Sequence, residues 1–279
     1  HLRARSGDPS NAIAEFESVL ADQQRVLGPN HPHTHETRHC LARVRASSGH
    51  ISDAISEFED VLADRLRVFG ADHPDTIRIR HNLAHLRARS GDPSNAIAEF
   101  ESVLADQQRV LGPNHPDTLG TRHVLANLRG EAGDIPGNIA ELESVLANQQ
   151  HVLGPDHPGT FKTRHDLAHL LGRTGETRRT IAELESVLAD QQRVLGPNHL
   201  DTLRTDHCLA NSRASSGNTK AAKVSLLQLK NRCRQALGPR HPMTLSVQNS
   251  LDHLQKRQSR GRRRTRRRRQ LQLCPAPRA

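Results

Sequence analysis

The chain has 279 residues and a formal charge of +10, yet only 34% of its residues are hydrophobic, with no Trp, no Tyr and five Phe. So thin an apolar supply argues against one large globular core, and no run approaches the roughly 18 apolar residues of a membrane span. Eleven of the Lys and Arg residues lie between Lys256 and Arg278, which leaves 29 basic against 30 acidic side chains elsewhere; the body is near neutral and the tail alone makes the chain basic.

The chain opens in the middle of a repeat. His1–Ser6 match His85–Ser90, and residues 1–32 are identical to residues 85–116. The expectation is a fragment of something longer, with no signal peptide at its start. The phrase Leu-Gly-Pro-Asn-His-Pro begins at Leu27 and Leu111, returns with single changes at Leu153, Leu195 and Leu237, and takes the form Phe69-Gly-Ala-Asp-His-Pro once. Gly7, Gly49, Gly91, Gly133, Gly175 and Gly217 keep the same step of 42 residues. A fixed period in the range of about 20 to 50 residues predicts a solenoid, in which each unit packs only on its neighbours.

Within a unit the pattern predicts two antiparallel helices. The first runs from about Asp117 to Ala132. Pro116 suits its first turn, Asp117 and Thr118 are placed to accept hydrogen bonds from the orphan amides there, and Gly133 ends it. The second covers about Ser94 to Leu111, with Ile97, Phe100, Val103, Leu104 and Leu111 at helical spacing. Glu99, Glu101, Asp106 and Arg109 fall on its outer side, and Gly112-Pro113 stops it. Ala42, Ala84, Ala126, Ala168 and Ala210 each follow a Leu, and a small residue there lets the partner helix approach closely. A larger side chain at Ala126 is expected to overpack the contact by roughly 1–3 kcal/mol.

Leu125-Ala126, Gly133, the small residue Ala96 and the aromatic Phe100 together resemble the tetratricopeptide repeat, and the 42-residue period resembles its kinesin-light-chain type. The arrays of many actinobacterial proteins are more similar still. The resemblance spans about residues 1–255 and implies an all-α fold, a right-handed superhelix of helix pairs whose first helices line a concave, peptide-binding groove. It carries His39, His81, His123, His165 and His207 into that groove, with Arg43, His85, Asn127, His169, Asn211 and His253 one turn further along the same face. Arg78, Lys162 and Arg204, about one turn before these histidines, favour an acidic ligand. Imidazole titration near pH 6.5 then predicts tighter acid binding in mildly acidic conditions. The bland alternative is that the histidines are solvated residues repeated by duplication. Where the family places Tyr in the first helix, this chain has Arg45, Arg87, Arg129 and Arg213, which predicts a looser interface and modest stability.

Catalytic readings find little support. His35-Glu36-Thr37-Arg38-His39 spells a zinc-peptidase motif, but only one unit has it, and His35 stands where other units carry Ile77, Leu119, Phe161, Leu203 and Leu245. The pairs His81/His85 and His165/His169 lack a carboxylate or thiol at a spacing that completes a metal site. No phosphate-binding glycine loop or Ser/His/Asp set is present, so neither enzyme activity nor a cofactor is expected. Cys40, Cys208, Cys233 and Cys274 form no dense framework, which fits a reduced, cytoplasmic setting.

From residue 256 to 279 the pattern gives way to an Arg-rich tail, expected to be disordered in isolation because its like charges repel. Arg262, Arg263, Arg264, Arg266, Arg267, Arg268 and Arg269 would bind phosphate backbones through counterion release. No aromatics are interleaved to stack on bases. Either the tail makes such contacts or it is a reading-frame artefact, since Arg, Pro and Ala dominate GC-rich frames. The sequence thus points to a non-catalytic scaffold for a protein or peptide partner, acidic in character, with nucleic-acid or acidic-surface contact through the tail as the alternative.

Overall fold

The structure is a computed structural model that describes residues 9–29, 31–91 and 93–256. It divides into two compact units, His1–Val152 and Leu153–Ala279. The first holds α1 (Pro9–Val26), α2 (Pro32–Ser47), α3 (Ile51–Phe69), α4 (Pro74–Arg89), α5 (Pro93–Val110), α6 (Pro116–Glu131) and α7 (Ile135–Val152). The second holds α8 (Pro158–Arg173), α9 (Thr177–Val194), α10 (Leu200–Ser215), α11 (Thr219–Leu237) and a last helix, α12, over residues 242–256. No strand occurs among the described residues. Even-numbered helices are the first helices of the repeat and odd-numbered ones the second, stacked pair on pair as an all-α solenoid. The helix bounds expected from Pro116 and Gly112 agree with α6 and α5 to within a residue. The tail lies outside the described residues.

The recurring Gly-Pro-x-His-Pro-x-Thr phrase is a helix start. His115 is the N-cap of α6, and its Nδ1 accepts from the Asp117 amide at 3.2 Å. His31, His73, His157, His199 and His241 make the same bond at 3.0–3.3 Å. Thr118 faces the other way: its hydroxyl donates to the Gly112 carbonyl at 2.9 Å, as Thr34, Thr160, Thr202 and Thr244 do to the equivalent glycines. The expected acceptors, Asp117 and Thr118, are therefore replaced by the imidazole before Pro116. A side chain at the N-cap reaches the first-turn amides, whereas one already inside the helix points away from them. Gly133, at φ +117°, takes the left-handed conformation that ends α6, a region a Cβ disfavours.

Packing follows the large-and-small pattern. Ala84, Phe100 and Leu125 form one buried cluster, with Ile97, Leu104 and Leu128 against it. α1 and α5 share one 18-residue sequence. In α5, which has α4 beside it, Ala96 and Phe100 are completely buried; in α1 their counterparts Ala12 and Phe16 are half-buried. Sequence sets the helix, but its neighbour sets the burial.

Ion pairs tie helix to helix. Arg45, Arg87, Arg129 and Arg213 reach back to Glu17, Glu59, Glu101 and Glu185 of the preceding repeat at 2.7–2.8 Å. The arginines that stand in the aromatic's place thus put their heads on carboxylates of the preceding repeat. Within repeats, Arg38 bonds Glu57 and Asp64, Arg80 bonds Asp106, and Arg164 bonds Glu183 at 2.9 Å and Asp190 at 2.8 Å. One repeat reverses the signs: Asp206 stands where Arg164 stood, Arg232 where Asp190 stood, and they pair at 2.7 Å.

Candidate functional site

In each unit the histidines lie on the first helices, and four of the five rings are tied to the next repeat. The Asn82 amide bonds His39 Nε2 at 2.9 Å, His81 Nδ1 lies 2.9 Å from the Thr121 hydroxyl, and His165 Nδ1 lies 3.0 Å from the Thr205 hydroxyl. His207 Nε2 lies 2.9 Å from the Ser250 hydroxyl and 3.2 Å from the Asn211 amide. His39 and His81 also set their edges against Phe58 and Phe100, at ring separations of 5.5 and 5.2 Å. His123 is buried, with the Asn127 amide 3.5 Å from its Nε2. The rings of His39, His81, His165 and His207 join consecutive first helices rather than standing in solvent.

Burial decides their protonation. It pushes the pKa of His39 down to about 4, with Arg78 and Arg43 adding to the effect, and it lowers His165 and His207 as well. An imidazole held neutral cannot gain charge near pH 6.5. Acid-strengthened binding therefore cannot come from these three rings, which corrects the expectation drawn from an unperturbed imidazole.

The residues one turn further on are the accessible ones. Arg43, His85 and His169 are exposed, while Asn127 and Asn211 are half-buried against their histidines. Arg78 and Arg204 are exposed and lean on Asp75 and Asp201 three residues away, at 2.7 and 3.3 Å. Arg43, Lys162 and Arg173 have no ion-pair partner among the described residues. The sequence reading missed Arg89 and Arg173, exposed one turn beyond His85 and His169; the four-residue step along a helix face was the signal for both. It also missed Asn82, Thr121, Thr205 and Ser250, whose only sequence mark is a separation of 40 or 43 residues from the histidine each one meets.

The peptidase motif does not assemble. His35 is fully buried with neither ring nitrogen partnered, and burial followed by Arg65 lowers its pKa. Glu36 faces solvent and sits 3.8 Å from His33, and His39 Nε2 is engaged with Asn82. No group of three His, Cys, Asp or Glu able to hold a metal occurs among the described residues. Arg262–Arg264, Arg266–Arg269 and Cys274 lie outside them. Among the described residues no helix is long and apolar enough to cross a membrane.

Two family models, both described as tetratricopeptide repeat, match the chain over residues 37–108 and 75–136 and over residues 4–33 and 160–201, together more than half of it. Among solved structures, a putative kinesin light chain of Podosopora anserina with nearly identical TPR-like repeats is 28% identical. The match covers 74% of this chain and 98% of that one, with a TM-score of 0.57. BtubC (BKLC) from P. vanneervenii is 20% identical over 85% of this chain and 95% of its own, with a TM-score of 0.65. NprR in complex with its cognate peptide NprX is 13% identical over 88% of this chain and 66% of its own, at 0.63. No curated protein matches.

Proposed function

The chain belongs to the tetratricopeptide repeat family, of the kinesin-light-chain-like type, and we propose that the exposed face of its first helices binds an extended, acidic segment of a partner protein. One observation carries this reading. The arginines between first and second helices are consumed in ion pairs, whereas Arg43 in the first unit and Lys162 and Arg173 in the second have no ion-pair partner among the described residues, and the exposed Arg78 and Arg204 hold only the aspartate three residues before them on the same helix. In each unit, cations beside Asn and His side chains suit carboxylates and peptide amides together. NprR, a fold neighbour, is bound to a peptide. The role is that of a non-catalytic scaffold, and the buried histidines hold the shape of each unit's face rather than touch the ligand.

The test is fluorescence anisotropy with three extended peptides of equal length, rich in Glu, Lys or Ser. The Glu peptide should bind, and R78A combined with H85A should weaken it about tenfold or more, in line with the loss of one or two charge-assisted bonds. Equal binding of the Lys peptide, or indifference to both substitutions, defeats the proposal.

A further inference from the structure

A cavity of about 280 Å³ opens in the second unit between α8, the first turn of α9 and α10. His169, Gly172 and Arg173 form one wall, Cys208, Asn211, Ser212 and Ser215 face them, and Thr177 and Thr180 close the end. Comparison between repeats explains the gap. Position 212 is Leu in four other first helices: Leu86, Leu170 and Leu254 are buried there, and Leu128 packs on the Ala84, Phe100 and Leu125 cluster. Here it is Ser212, half-buried, and the shorter side chain leaves part of that space open.

The lining is dense in donors. Arg173 has no partner among the described residues, and the hydroxyls of Ser212 and Ser215 are likewise uncommitted. Thr177 is the first residue of α9, whose N-cap Glu176 makes no side-chain cap bond, so first-turn amides and the positive end of that helix stand at the rim. The Cys208 thiol is a neutral wall: burial, then Asp166, pushes its pKa up to about 11. Two acids are near. Asp166 acts on Cys208 from one turn up α8, and Glu176 bonds Arg179 at 3.4 Å, but neither lines the cavity. The volume lies just below the roughly 300 Å³ at which small-molecule sites begin. It suits one functional group on a short arm better than a whole cofactor.

We propose that this cavity is an oxyanion site, taking one carboxylate or phosphate group between the Arg173 guanidinium and the Ser212 and Ser215 hydroxyls. It extends the reading of the first-helix face, because His169 and Asn211 belong to both.

The test titrates the full chain with glutarate and with inorganic phosphate by calorimetry, against chloride at matched ionic strength. Three proteins are compared: the parent, R173Q and S212L. Restoring Leu at 212 returns the residue used by other repeats, so S212L should stay folded and unfold at a higher temperature than the parent. Saturable binding of either anion to the parent, weakened at least tenfold in both variants, supports the proposal, and the tighter of the two anions identifies the source. Saturable binding that survives in S212L overturns it, and so does the absence of saturable binding by either anion. In both overturning cases the Glu-peptide titration, which depends on Arg78 and His85 of the first unit, reports separately whether the broader reading holds.

Discussion

The reversed ion pair makes a quantitative prediction. Arg164 is only 12% exposed at its side chain and holds Glu183 and Asp190, each about a third exposed. R164D would leave three acids together. Stranding one partner of a fully buried pair costs about 3–5 kcal/mol and breaking an exposed one under about 1 kcal/mol, so this half-buried site should lose about 2–3 kcal/mol. The chain itself shows the remedy. Where Asp206 replaces the arginine, Arg232 replaces the aspartate, and Ser225 stands where Glu183 would repel it. R164D/D190R should therefore recover more than half of the loss, and adding E183S should recover most of the rest. Urea unfolding followed by far-UV circular dichroism gives each ΔΔG, and the cycle isolates the coupling. A double variant no more stable than R164D alone would refute the argument that sign, once paired, is interchangeable at this contact.

Three other predictions rest on the same logic. F100A should cost about 3–5 kcal/mol, whereas F16A, in an identical helix where the ring is only half-buried, should cost less than half of that by the same urea titration. H115A removes the N-cap acceptor of α6 and should cost about 1 kcal/mol, while H115N, which keeps an acceptor, should recover much of it. Stability should also fall with acid. His39 is held near 4 in the folded chain and His165 and His207 are lowered too, so the unfolded chain binds more protons as pH drops below about 6.5. The stability of their neutral forms is fully present above that pH and is lost towards pH 4. His39 alone accounts for at most about 3 kcal/mol. H39Q should flatten the profile of urea midpoint against pH, and an unchanged profile would count against burial as the cause.

The period made most of the fold legible. Gly133 marked the end of α6, the Ala84 and Phe100 pattern marked the packed face, and both follow from local rules repeated six times. Atom-level roles were less legible. His115 and His123 are the same residue type eight positions apart, yet one caps a helix and the other is buried beside Asn127 on the same helix. Only knowing that Thr121 comes to lie beside His81 distinguishes such roles, and that depends on how neighbouring repeats stack. The same holds for Arg87, where sequence showed a missing aromatic and structure shows Glu59 and Glu99 receiving the guanidinium. The cavity at Ser212 was readable in principle as a Leu-to-Ser change within the alignment of repeats, but its depth needed the packing.

Hydrogen–deuterium exchange of the chain with and without the Glu peptide addresses the binding face directly. Protection concentrated on first helices, α2 and α4 in the first unit or α8 and α10 in the second, with α3, α5, α9 and α11 unchanged, is the predicted result. Protection confined to the second helices, or none outside residues 257–279, would contradict it.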